Sequence, residues 1–211
     1  MEELDTKKYA GIDLGKTSVQ FSIYREGQEE MSEESFPIEK EQQEAYIETG
    51  SHLVEEYMKE KEYQWSDYQA VHFSMQDPSE ENRDKLKESV SEEFLKFHTV
   101  KVITHFRAFA EYVFHQERIM WDRNTLLLDY HDNQLSYVLI DQIRRSRQKA
   151  YRAVEKQIDL NEYRVVEGTP EQDANFGQMV KRFLVKNPAN IIFLTGSGFE
   201  GNWMKKTLTY L

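Results

Sequence analysis

Residues 10–18 read Ala-Gly-Ile-Asp-Leu-Gly-Lys-Thr-Ser, and the run after them, Val19-Gln20-Phe21-Ser22-Ile23-Tyr24, limits the folds open to this chain. Gly15-Lys16-Thr17 has the ending of a P-loop. That motif needs a glycine five positions before Gly15, where Ala10 stands, and Gly11 comes one residue too late. A P-loop must also open a helix, whose N-terminal amides hold phosphate. Residues 19–24 instead alternate apolar and polar side chains at the strand period of two. The unit is therefore strand, tight turn, strand. Such a turn can still hold an anion, because Gly15 lets the backbone come close and the amides and hydroxyls of Lys16, Thr17 and Ser18 converge there. Asp13, ending the first strand, faces the same space. One carboxylate beside phosphate oxygens suits Mg2+, which takes one or two protein carboxylates and keeps most of its waters.

The unit recurs. Placing Asp13 over Asp129 aligns residues 9–24 with residues 125–140, Thr-Leu-Leu-Leu-Asp-Tyr-His-Asp-Asn-Gln-Leu-Ser-Tyr-Val-Leu-Ile, and puts Val19, Phe21 and Ile23 on Leu135, Tyr137 and Leu139. Both copies read apolar strand, Asp, polar turn, alternating strand. One supersecondary unit repeated half a chain apart is a statement about the whole fold.

Gly11-Ile12-Asp13-Leu14-Gly15-Lys16-Thr17-Ser18-Val19 resembles the first phosphate motif of the superfamily that contains actin, the sugar kinases and the seventy-kilodalton heat-shock chaperones. Ile192-Phe193-Leu194-Thr195-Gly196-Ser197-Gly198-Phe199 is similar to that superfamily's adenosine motif, a strand ending in glycines that let the backbone lie against base and ribose. The resemblance implies an α/β chain of two related actin-like (ribonuclease H-like) βββαβα halves that hold one nucleotide between their turns. It assigns phosphates and metal to Asp13, Gly15, Lys16, Thr17, Ser18 and Asp129, and adenosine to Gly196, Ser197 and Gly198, with ATP and Mg2+ as cofactors. His105 falls where the chaperones carry a glutamate near the metal and attacking water. Hydrolysis requires that water to be positioned or deprotonated, which a histidine can do.

Other residues depart from the pattern. The second turn lacks the usual glycines and reads Asp129-Tyr130-His131-Asp132-Asn133, so bulky side chains and one more negative charge are expected where backbone should approach phosphate. Gln20 stands where many members have a Lys or Arg, a charge that Lys16 can supply.

Between the hairpins the pattern is that of parallel crossover units. Residues 31–38 read as a third strand, 41–61 as a helix with one strongly charged face, and 68–75 as a strand. Asp77-Pro78-Ser79-Glu80-Glu81 starts a helix expected to run to Phe97. A short strand at 100–104 and a helix at 105–119 follow. The second half repeats the plan with strands at 125–131 and 134–142, a basic strand candidate at 144–157, a helix at 171–186 and a strand at 190–194. These runs place the halves at 1–120 and 121–211, with the outer subdomains reduced. The chain stops at Leu211 within an apparent helix, whereas the resemblance implies that the polypeptide continues, so a divergent or truncated, bacterial-type member is expected.

The 27 basic and 38 acidic residues give a net charge of -11, which repels phosphate backbones and anionic membranes. The absence of cysteine excludes disulfides and thiolate chemistry and suits a cytoplasmic chain. No apolar run approaches the roughly 20 residues of a membrane span, and the first five residues are acidic where a signal peptide is basic. The six histidines lack metal spacing, and no serine sits in a nucleophile elbow. Two functions fit. One is a divergent actin-like protein that binds ATP and Mg2+ weakly, an ATP hydrolase if it is active at all. The other is a pseudoenzyme scaffold that has lost nucleotide and engages a protein partner or a second copy. A sugar or acetate kinase is disfavoured, since neither a catalytic base nor an acceptor pocket is evident.

Overall fold

The computed structural model describes residues 6–27, 31–115, 125–131, 134–145, 148–152, 156–166, 169–196 and 199. It is α/β, and the chain divides into two compact units, Met1–Ala108 and Phe109–Leu211.

The first unit is built on a five-stranded sheet in the order β3-β2-β1-β4-β5, from β1 (Lys8–Leu14), β2 (Ser18–Arg25), β3 (Ser32–Pro37), β4 (Tyr68–Met75) and β5 (Val102–Thr104). The first three strands are antiparallel neighbours, because connections of three and six residues are too short for a parallel crossover. β4 and β5 run parallel to β1 after helical crossovers through α1 (Tyr46–Glu60), α2 (Glu80–Ser89) and α3 (Glu92–Phe97). One face of the sheet is covered: Ala10, Ile12, Leu14, Val19, Phe21, Ile23, Val71, Phe73 and Met75 are buried, while the residues alternating with them are less so. α1 lays Ile47, Val54 and Met58 on that face and keeps its charged side in solvent.

The helix expected from Glu80 to Phe97 is two helices. Ser91 breaks it: its hydroxyl accepts from the amide of Phe94 at 3.1 Å and donates to Glu55 of α1 at 2.6 Å. Glu55 also accepts from the indole N–H of Trp65 at 3.2 Å. A continuous helix would lose this cap and turn Phe94 away from Trp65 and Phe73, whose rings it meets edge-on at 5.1 and 5.6 Å. Ser91-Glu92-Glu93 repeats the start signal Ser79-Glu80-Glu81, whose serine caps α2 through the amide of Asn82.

α4 (His105–His115) follows β5 directly. In the second unit β6 (Thr125–His131) pairs antiparallel with β7 (Gln134–Arg145), and β10 (Ile191–Thr195) pairs parallel with β6. The basic run expected as one strand is divided, with β7 reaching Arg145, then β8 (Gln148–Arg152) and β9 (Lys156–Ile158), all antiparallel to β7. α5 (Gln172–Lys186) supplies Phe176, Met179 and Val180 to the core.

The repeat holds to the residue. Asp13 lies opposite Gln20 and Leu14 opposite Val19; Asp129 lies opposite Ser136 and Tyr130 opposite Leu135. The cores correspond too, since Ala10, Ile12 and Leu14 are matched by Leu126, Leu128 and Tyr130. Tyr130 therefore turns inward, 2% exposed, stacked on Phe176 at 5.9 Å and edge-on to Phe199 at 5.6 Å. This corrects the expectation that its ring obstructs the second turn: strand alternation sends position 130 to the core whenever Asp129 points away from it.

Two predictions follow from this packing. Gly196 has φ of +108°, and a Cβ there would lie 2.3 Å from the carbonyl oxygen of Tyr130, so Gly196→Ala is expected to lower unfolding stability by about 1–3 kcal/mol in urea. Tyr68 is buried, which raises its phenol pKa above the ordinary value of 10.0, with Tyr63 and Asp67 adding to the effect. The native state then keeps a proton that the unfolded chain releases, so stability should fall as pH rises above about 10, and Tyr68→Phe should flatten that slope.

Candidate functional site

The parallel strands β1, β4 and β5 end side by side, and each delivers a polar residue to that edge. Asp13 is the penultimate residue of β1 and lies in register with Ser74, the penultimate residue of β4. Thr104 ends β5 and caps α4, its hydroxyl accepting from the amide of Arg107 at 3.0 Å. The cap directs the N-terminus of α4, with His105 as its first residue, to the same edge. In open α/β sheets such carboxyl ends are where ligands bind.

Asp13 is the centre of the cluster. Its Oδ1 accepts from the Ser74 hydroxyl at 2.5 Å and lies 2.9 Å from His105 Nε2. The same nitrogen is 3.2 Å from the carbonyl oxygen of Leu14. Both neighbours are acceptors, so Nε2 carries a proton and donates to them. The imidazole is 4% exposed against 31% for the Asp13 side chain. His105 thus clamps Asp13 from inside while the carboxylate reaches the surface.

The turn after Asp13 is closed on itself. The Gly15 amide donates to the Ser18 carbonyl at 3.0 Å, and the Ile38 amide donates to the Thr17 carbonyl at 2.9 Å. Lys16 and Thr17 are exposed at its tip, with Gly15 and Ser18 partly so. A Cβ on Gly15 would sit 3.0 Å from the Ser18 oxygen, so the turn itself favours glycine. Asp13, Gly15, Lys16, Thr17, Ser18 and His105 are therefore neighbours in the first unit. Gln20 lies opposite Asp13 and is exposed.

In the second unit Asp129 is 6% exposed, flanked in register by Ser136 on β7 and Thr195 on β10. Thr195 holds the strand position that Ser74 holds beside Asp13. Gly196 follows Thr195, and its lack of a side chain is accounted for by the peptide of Tyr130. Ser197, Gly198 and Asp132 lie outside the described residues.

Ser74 is the residue that sequence reasoning missed. Only the period of its strand is visible in the sequence; its partnership with Asp13 follows from parallel pairing with a strand 61 positions away. Among the described residues no three His, Cys, Asp or Glu side chains are placed to hold a metal, and no helix is long and apolar enough to cross a membrane.

Comparison with solved structures agrees with this architecture. A Bacteroides thetaiotaomicron protein with an actin-like ATPase fold and unknown function aligns over 100% of this chain and 91% of its own, at 9% identity and a TM-score of 0.56. An exopolyphosphatase-like protein aligns over 90% of this chain and 66% of its own, at 13% identity and a TM-score of 0.52. An Aquifex aeolicus Ppx/GppA phosphatase covers 90% and 67% at 16% identity, with a TM-score of 0.45. The chain thus spans about two thirds of the phosphatase structures it matches. Two duplicated halves with strands in this order make it an actin-like ATPase-fold protein. A family model matches residues 31–211, and the chain belongs to that family, the family of unknown function (DUF5716) C-terminal. No curated protein matches the sequence.

The two donors on Asp13 share one oxygen, so their contributions should be coupled. Ser74→Ala and His105→Ala are each expected to cost about 1–3 kcal/mol. A double-mutant cycle by urea unfolding should give an interaction energy above about 0.5 kcal/mol.

Proposed function

We propose that the chain binds the phosphate groups of a nucleotide, with ATP and Mg2+ as the pair its first unit suits, weakly and with little or no hydrolysis. The observation that carries this reading is Asp13, held at the strand ends by Ser74 and His105 while its side chain keeps 31% exposure beside the exposed tip of the Gly15–Ser18 turn. Lys16 would neutralise phosphate charge, the Thr17 and Ser18 hydroxyls would donate to phosphate oxygens, and Asp13 would take the metal, directly or through its waters. The donor set fits Mg2+, which needs one carboxylate when phosphates and water supply the other ligands. Bound there, the ion would offset charge building up on the phosphates. By the resemblance alone, Asp129 would be the counterpart in the second unit, and Gly196, Ser197 and Gly198 would meet adenosine.

Slow hydrolysis follows from His105. A general base must present a lone pair to the attacking water, whereas His105 Nε2 donates to Asp13 and the Leu14 carbonyl. Its role is to position Asp13. The phosphatase names among the structural neighbours belong to the same broad class of phosphoryl ligands.

A second reading, a pseudoenzyme scaffold, is favoured by the Gly15 amide being engaged by Ser18 and by Asp129 being nearly buried. Calorimetric titration of MgATP separates the two. Saturable binding is expected, weakened at least about tenfold in Asp13→Ala, equivalent to about 1.4 kcal/mol. An absence of heat at millimolar ATP would overturn the nucleotide reading and point to a scaffold or to a piece of a longer nucleotide-binding protein.

A further inference from the structure

The first sheet has two open edges of opposite charge. β3 is its outer strand on one side, exposed along nearly its whole length, with Glu33 and Glu34 in its centre and Met31, 46% exposed, just before it. On the other side β5 covers only the last part of β4, since its pairing starts at Phe73 opposite Val102 and the final bond runs from the Phe73 amide to the Lys101 carbonyl. Upstream the chain leaves β4, and a cleft of about 300 Å³ opens between Gln69–Val71 and Thr99–Lys101. Leu95 and Phe97 on its rim are 47% and 46% exposed. Lys96 and Lys101 line it and have no salt bridge among the described residues; Lys96 lies over the Phe97 ring.

The faces agree as well as the charges. Glu33 pairs with Ser22 and so projects on the less covered side of the sheet, whereas Glu34 pairs with Phe21 and bonds to Tyr57 on the covered side. Lys101 lies near His72, which is on that same less covered side: burial first and then Lys101 hold the His72 pKa below its ordinary value. An acidic strand laid beside β4 in the plane of the sheet would bring Glu33 toward Lys101 and His72.

We propose that the β3 edge of one copy of this chain docks in the β4 cleft of another, extending the sheet from copy to copy. The occupant is a second copy because the chain carries both complementary edges, each with exposed apolar residues beside the charges. Exposed strand edges pair unless something prevents it, and opposite charges set which edges meet. Two different surfaces meet, so the contact is head-to-tail and each joined pair keeps one free edge of each kind, open to further copies.

Sedimentation velocity on the full chain tests this with two charge-reversal variants, Glu33→Lys and Lys96→Glu/Lys101→Glu, all at exposed positions. The wild type should associate with rising concentration, about tenfold more weakly at 0.5 M than at 0.05 M NaCl, since salt screens exposed charges. Each variant alone should remain monomeric with an unchanged circular dichroism spectrum, and the two mixed should form a one-to-one complex. A wild type that stays monomeric at low salt and high concentration would overturn the proposal, with the charges then serving to keep the edges apart. Association that both reversals leave intact would overturn it equally.

Discussion

The parallel pairing of β1 with β4 is the constraint on which the rest of the first unit depends. It sets Asp13 beside Ser74, fixes where β5 can add, and so determines where α4 begins and where His105 stands. A shift of one residue would exchange the faces of the strand, burying Asp13 in place of Ile12 and Leu14. The apolar face prevents that shift. Ile12, Leu14, Phe73 and Met75 are each at most 2% exposed, and at roughly 1.5–3 kcal/mol for each buried side chain no polar contact at the strand ends could compensate for their loss. Core packing holds the register, and the register assembles the polar cluster.

The duplicated unit shows how one scaffold treats the same residue in two ways. Asp13 and Asp129 occupy equivalent positions in equivalent hairpins, but Asp13 reaches solvent and Asp129 is nearly enclosed. A charged group hidden from water needs partners of its own. The aromatic stack of Tyr130, Phe176 and Phe199 beneath the second hairpin has no counterpart at Leu14. The second half thus shares the backbone plan while Tyr130, next to its aspartate, goes to packing, and Gly196, glycine because it passes against the Tyr130 peptide, belongs to that packing.

Both hairpins, their common register and the α/β order of elements were legible in the sequence. They rest on short-range chemistry: alternation with a period of two, turns that can only reverse the chain, and apolar stripes at helical spacing. The break at Ser91 was less visible, although its Ser-Glu-Glu signal matches that at Ser79, because an apolar stripe continues past it and only the bond to Glu55 shows why the chain turns. Tyr130 was misjudged because a bulky residue after the key aspartate was counted as facing a ligand, when alternation alone sends it inward.

By itself, then, the sequence determined which segments are strands and helices, that one unit is used twice, and which aspartates stand at the strand ends. The tertiary structure alone decided what surrounds them. Ser74 and His105 come to Asp13 from 61 and 92 positions away through parallel pairings, whose register no local pattern encodes. The cleft beside β4 likewise exists only because β5 stops short along it. Local periodicity can specify an element and its faces, but the neighbours of a side chain across a parallel sheet are set by how whole elements pack.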